Sequence, residues 1–250
     1  MNGRGSYEPR TYRRLARAEG LVRFGVTLEE SDLAVWARRE LRAEAAAALQ
    51  AVRAELRAYL RRHQGFVESL QPLDPLPGAP EVVRRMCAAG AAAGVGPMAA
   101  VAGTIAQRVA EALETESPEV IVENGGDVYL VTQEERRVAI VAPGSRLSGK
   151  MALKIPAGAR MAVCTSSGRH GHSLSLGRAD ATVVAATDGA LADAMATALG
   201  NRVRRAEDLV QALEWARGVD GVVQAVVCSH DRFGAFGSLE ILPTGSDTNG

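Results

Sequence analysis

The sequence predicts an α+β fold: an antiparallel or mixed sheet packed by helices, with a long helix near the N-terminus. Three observations carry that expectation. Strand-like runs are interrupted by helix-forming stretches without the strict strand–helix alternation of a doubly wound sheet. The pair Asn124-Gly125 sits between two β-rich runs, which is a hairpin signal because both residue types tolerate positive φ. Residues 33–60 contain neither glycine nor proline and are dominated by alanine, leucine, arginine and glutamate, the strongest helix formers.

Taken in order, residues 20–28 alternate loosely and set Val22, Phe24 and Val26 on one face, as a strand would. Ser31 or Asp32 is then placed to cap the long helix, along which Leu33, Trp36, Leu41, Ala45, Leu49, Val52 and Leu56 fall near one stripe. Pro72, Pro75, Pro77, Gly78 and Pro80 break any regular element, so 63–80 reads as a connection. Residues 71–80 are a candidate sub-boundary within a single domain over 1–250. Helices are expected over 81–93, ended by Gly94, and over 98–114. Strands are expected at 120–122 and 128–131, around the hairpin, and at 138–141, 151–155, 161–165 and 181–186. Thr187 is placed to cap a helix over 188–199 that Gly200 and Asn201 stop. A last helix covers 206–217, and 222–228 and 237–242 are strand-like.

Composition narrows the function classes. The 250 residues carry 29 basic and 29 acidic side chains, so no general field steers the protein toward nucleic acid or an anionic membrane. Two basic clusters stand out: Arg10, Arg13, Arg14 and Arg17, and then Arg202, Arg204 and Arg205. Solvated surface is the plainer reading of both, with phosphate binding the alternative. No apolar run approaches the roughly 18–20 residues of a membrane span, and the first residues lack the apolar stretch of a signal peptide. Cys87, Cys164 and Cys228 are widely spaced among apolar neighbours, which suggests buried, reduced thiols and a cytoplasmic location.

Four constellations bear chemistry. Asp193 and Thr197 are four residues apart and share a helix face. A carboxylate and a hydroxyl there suit a hard cation such as Mg²⁺, the alternative being an exposed Asp193 and a Thr197 bonded back to its own helix. Thr165, Ser166, Ser167 and Gly168 directly follow a strand, where small residues let backbone N–H groups approach phosphate. His170 and His172 lie on one face of an extended chain, suited to a metal or to acid–base work, although no third ligand is evident. The run 94–103 is rich in glycine and leads into a helix whose N-terminus favours anions. It lacks the Gly-Lys-Ser/Thr ending of a P-loop, and close helix packing explains it equally well. Glu123 and Asp127 flank the hairpin turn with carboxylates that the turn does not require.

The blocks Gly96-Pro-Met-Ala-Ala-Val-Ala-Gly103, Val122-Glu-Asn-Gly-Gly-Asp127, Thr165-Ser-Ser-Gly168 with Gly171-His-Ser-Leu-Ser175, and Ala192-Asp-Ala-Met-Ala-Thr-Ala-Leu199 occur in a recognisable order. Together they resemble the ApbE superfamily, and more closely an uncharacterised ApbE-like branch shared by bacteria and archaea. The resemblance covers residues 94–200 and implies an ApbE-like, T-fold-like sheet. The best-known members are FAD:protein FMN transferases, which use Mg²⁺ to split FAD at its pyrophosphate and attach FMN to a protein threonine. By the same resemblance Asp193 and Thr197 match the metal-binding Asp and Thr, with a main-chain carbonyl from 96–100. His172 matches the family's histidine.

These readings together make Asp193 and Thr197 the metal ligands and His172 and Asp193 the catalytic residues. Gly96, Asn124, Gly125, Asp127, Thr165, Ser166, Ser167 and Gly168 become the cofactor-binding set. Mg²⁺ and FAD or FMN are the expected cofactors. Two family features are missing, however: a lysine in the glycine-rich block and an Asp-Pro after the histidine. The first expectation is therefore a metal-dependent enzyme acting on a phosphorylated or nucleotide-like cofactor, flavin leading. The alternatives are a non-catalytic binding module and a maturation factor docked through helix 33–60. The partner expected is a small phosphorylated or nucleotide ligand, with neither nucleic acid nor membrane.

Overall fold

The computed structural model describes residues 18–142, 145–167, 179–229 and 232–244. The described residues open with a hairpin of β1 (Val22–Leu28) and β2 (Ser31–Ala37), in which Leu28 faces Ser31 and Val22 faces Ala37. Helix α1 follows only from Arg42 to Leu60. The expected helix from residue 33 is thus corrected in its first part, and neither Ser31 nor Asp32 caps it. The reason is tertiary. β2 is hydrogen-bonded on both sides, to β1 and to β3 (Val120–Asn124). Its side chains divide between two cores: Leu33, Val35 and Ala37 face one, Ala34 and Trp36 the other. A strand buried on both faces shows no polar alternation, so its sequence imitates a buried helix.

The connection after α1 holds a 3₁₀ turn over Gln64–Phe66 and packs tightly. Phe66 meets Tyr59 edge-on at 5.2 Å between ring centroids, and the Leu76 N–H donates to the Tyr59 hydroxyl at 3.0 Å. Helix α2 (Glu81–Ala93) ends where Gly94 takes a left-handed φ of 71°. A 3₁₀ turn (Pro97–Ala100) then leads into α3 (Val101–Leu113).

Strand β3 and β4 (Asp127–Val131) form the expected hairpin, with a difference of one residue. Gly125 (φ 69°) and Gly126 (φ 105°) supply the positive φ values, while Asn124 closes the ladder opposite Asp127. There follow β5 (Arg136–Ala139), β6 (Met151–Ile155), β7 (Arg160–Ser166) and β8 (Ala181–Ala186). Helix α4 spans Gly189–Arg202 and is capped by Asp188, whose carboxylate accepts the Leu191 N–H, rather than by Thr187. It also continues through Gly200, which is buried in the packing and does not stop it. Last come α5 (Asp208–Arg217), β9 (Val222–Ser229), β10 (Arg232–Gly237) and β11 (Ile241–Pro243).

Eight strands form one sheet in the order β1-β2-β3-β4-β7-β8-β9-β10, and β11-β6-β5 form a second. Every pairing among the described residues is antiparallel. The helices cover one face of the large sheet and the small sheet covers the other. Alternation along β8 shows the division: Val184 and Ala186 join the helical core, Ala181, Val183 and Ala185 the core shared with Leu153 and Ile155 of β6. The three cysteines are buried and unpaired, as expected. No single helix among the described residues is long and apolar enough to cross a membrane.

Candidate functional site

The site begins with two glycines. Gly103 in the first turn of α3 and Gly189 at the start of α4 face each other's backbone. A Cβ on Gly103 would stand 2.2 Å from the Gly189 carbonyl oxygen, and one on Gly189 would stand 2.5 Å from that of Gly103. Only glycine permits this approach, so the close packing expected for run 94–103 is real. One turn along α4, Asp193 is thereby brought to the start of α3, where its Oδ2 accepts the Gly103 N–H at 2.8 Å. The first N–H groups of a helix have no partner within it, and its dipole favours an anion there.

Neighbouring groups fix this arrangement. Gln107 accepts the Gly189 N–H at 2.7 Å through Oε1 and donates through Nε2 to Glu111 at 2.9 Å. Asn124 donates from Nδ2 to the Ala102 carbonyl at 3.1 Å. From the other arm of the hairpin, Asp127 accepts the Thr165 N–H at 3.2 Å. Glu123 accepts the Gly126 N–H at 2.8 Å and so shapes the turn.

The electrostatics are those of excess negative charge. Burial, with the nearby Glu123 carboxylate adding to it, pushes the Asp127 pKa up to about 7 against the lowering effect of Thr165 N–H and the Cys164 thiol. Burial and then the Asp127 charge push Asp193 well above the usual carboxylate range, against the N–H groups of Gly103 and Ala102. The Cys164 thiol is pushed up as well, by burial first and then by Asp127 and Asp193. Thr197, one turn beyond Asp193 on α4, is buried, and no hydrogen bond of its hydroxyl occurs among the described residues. The back-bond that would have explained it away is not made.

The structure thus brings together Asn124, Asp127, Thr165, Asp193 and Thr197, with Gly125 shaping the hairpin. Ser167 donates to the Asp180 carbonyl at 2.9 Å, and the Ser166 carbonyl lies 3.2 Å from the Thr182 hydroxyl, so both lie at the exit of β7. Gly96 has a separate duty: a Cβ there would stand 1.7 Å from the Ser69 carbonyl oxygen, where the connection crosses it. Gly168, His170 and His172 lie outside the described residues. Gln107 and Gly189 were not singled out from sequence, and Cys164 was read only as a buried thiol. Helical spacing of four from Gly103 and from Asp193 could have signalled Gln107 and Gly189. Among the described residues no three His, Cys, Asp or Glu side chains form a metal cluster. A cation here would draw on two carboxylates, with hydroxyl, main-chain and ligand oxygens completing its shell.

Residues 13–221 match the family described as AbpE bacteria. The chain belongs to that family. It is 44% identical over 190 residues to a UPF0280 protein of Methanocella arvoryzae, covering 75% of this chain and 77% of the relative. A UPF0280 protein of Methanopyrus kandleri is 42% identical over 219 residues, covering 85% and 89%. Among solved structures, the flavin transferase ApbE from Vibrio cholerae superposes with a TM-score of 0.60 at 12% identity, covering 87% of this chain and 97% of that one. The apo flavinyl transferase ApbE of Pseudomonas stutzeri gives 0.55 at 15% identity, covering 86% and 93%. At such identities the likeness is one of fold, and the ApbE-like α+β fold expected from the sequence blocks is the fold observed.

Proposed function

We propose that this protein is a metal-dependent enzyme acting on a phosphorylated or nucleotide-like cofactor, with flavin the first candidate. One observation carries the reading: Asp193 is held against the first turn of α3 with Asp127 close enough to raise its pKa, and the Thr197 hydroxyl, with no partner among the described residues, stands one turn away. Mg²⁺ takes oxygen ligands, few of them from protein, and keeps sites for water and substrate phosphate. Asp193 and Thr197 suit that demand, and Asp127 adds a second negative charge. The shared fold with flavin transferases supports flavin as the ligand class.

A bound Mg²⁺ would supply charge neutralisation on a pyrophosphate. The chain's own residues do the rest. Ala102 and Gly103 N–H groups orient Asp193, Asn124 holds the Ala102 carbonyl, and Thr165 N–H holds Asp127. Backbone groups of Ser166, Ser167 and Gly168 are assigned to the phosphates, whereas Gly96 is covered by the connection at Ser69 and the Thr165 N–H is already given to Asp127. His172 is assigned the acid–base role on the strength of the sequence resemblance. A cytoplasmic location belongs to the same reading.

The second reading is a binding module without turnover, favoured by the missing lysine and Asp-Pro. Titration of FAD, FMN and ADP with and without Mg²⁺, followed by product analysis over time, separates the two. The enzyme reading expects Mg²⁺-dependent binding, release of AMP from FAD, and an affinity at least about tenfold weaker in Asp193→Ala. Binding with no product at any time gives the module. Unchanged metal and ligand affinity in Asp193→Ala removes this site from both.

A further inference from the structure

At the far end of α4 lies a cleft of about 680 Å³ lined by Arg202, Arg204, Arg205, Asp208, Gln211 and Trp215. Three guanidinium groups face one carboxylate, and that carboxylate is already engaged. Asp208 Oδ2 accepts the backbone N–H groups of Arg204 at 3.0 Å and Arg205 at 2.8 Å, and Oδ1 lies 3.7 Å from the Arg205 guanidinium. Arg204 forms no ion pair among the described residues. Arg202 stacks on the indole of Trp215 with its guanidinium carbon 3.3 Å from the ring centroid. Among the described residues it spends one donor, on the Ala198 carbonyl at 3.1 Å, of the five a guanidinium carries. Partial desolvation draws its pKa down, although the side chain keeps contact with solvent.

We propose that this cleft is a second site, binding a small phosphate-bearing anion through Arg202, Arg204 and Arg205. Guanidinium forks match phosphate oxygens bidentately, and a concave wall on which three cations outnumber one carboxylate concentrates anions. Trp215 fixes the plane of Arg202, so its donors are set before the ligand arrives. The volume is that of a small-molecule pocket. A formal net charge of zero argues against nucleic acid or a membrane. The cleft is distinct from the carboxylate site. Arg202 is roughly 13 Å from Asp193 along α4 and close to the opposite face of the helix.

The test is calorimetric titration of inorganic phosphate, pyrophosphate and AMP in EDTA, which silences any cation-dependent site, with Trp215 fluorescence as a second readout. One-to-one saturable binding is expected, weakened at least about tenfold in the exposed double variant Arg204→Ala/Arg205→Ala. The melting temperature of that variant and the affinity of Asp193→Ala should be unchanged. Tighter AMP than pyrophosphate marks a nucleotide ester as the ligand, and the reverse marks a free polyphosphate. No saturable binding, equal affinity for sulfate, or loss in Asp193→Ala with retention in the double variant would each overturn the proposal.

Discussion

Asp127 illustrates what a single residue contributes. Its carboxylate is buried, accepts one backbone N–H, and titrates at about 7 in the folded chain, against about 3.9 when unfolded. Between those values the unfolded chain has released the proton that the folded chain keeps. Stability therefore falls as pH rises through this window and levels off above it. Denaturant unfolding at about pH 5 and about pH 8 should show the loss, at most a few kcal/mol. In Asp127→Asn, which still accepts from Thr165, the loss should shrink, and saturating Mg²⁺ should offset it in the wild type. A wild-type slope matching that of the variant would rule Asp127 out as its source. Asp193 and Thr197 were legible in the sequence as a helix-face pair. Asp127 was legible as a turn carboxylate and, through the family resemblance, as a cofactor-binding residue, but its pairing with Thr165 was not, because that residue lies 38 positions away.

At the scale of elements, the crossing of α3 on α4 positions the site. Gly103→Ala places a methyl against the Gly189 carbonyl and 2.8 Å from Asp193 Cβ, so the helices must part. Overpacking of this kind costs roughly 1–3 kcal/mol, measurable as a lower denaturation midpoint. The same variant should weaken Mg²⁺ binding, because Asp193 loses the Gly103 N–H. Full stability in Gly103→Ala would mean the helices are not in backbone contact. Local signals were enough for α2, the β3–β4 hairpin and β8. They failed at β2, where strong helix formers were claimed by two neighbouring strands, and at Gly200, which stays helical because packing holds it.

For the whole molecule, one large sheet separates two cores. Cys87 lies in the core under the helices, and Cys228 in the core beneath the small sheet. Burial pushes each thiol up to about 11, so neither should react with a neutral-pH thiol reagent while the chain is folded. We propose that the two cores melt together as a single domain. Both thiols should then become reactive at one denaturant midpoint, mapped by labelling and mass spectrometry. Two midpoints would locate a boundary, with 71–80 the first place to look, although Phe66 and Leu76 are tied to Tyr59 across that connection.

By itself the sequence determined the features that local chemistry decides. The proline-rich connection, the glycine that ends α2, the hairpin turn and the helix carrying Asp193 and Thr197 each follow from the conformational limits of a few adjacent residues. Tertiary structure alone decided which strands are central and how α3 meets α4. It also decided that Asp127 and Asp193 lie close enough for one charge to act on the other. Those facts depend on contacts between residues far apart in the chain, and pairing and burial there outweigh the fractions of a kcal/mol by which local propensity distinguishes one residue from another.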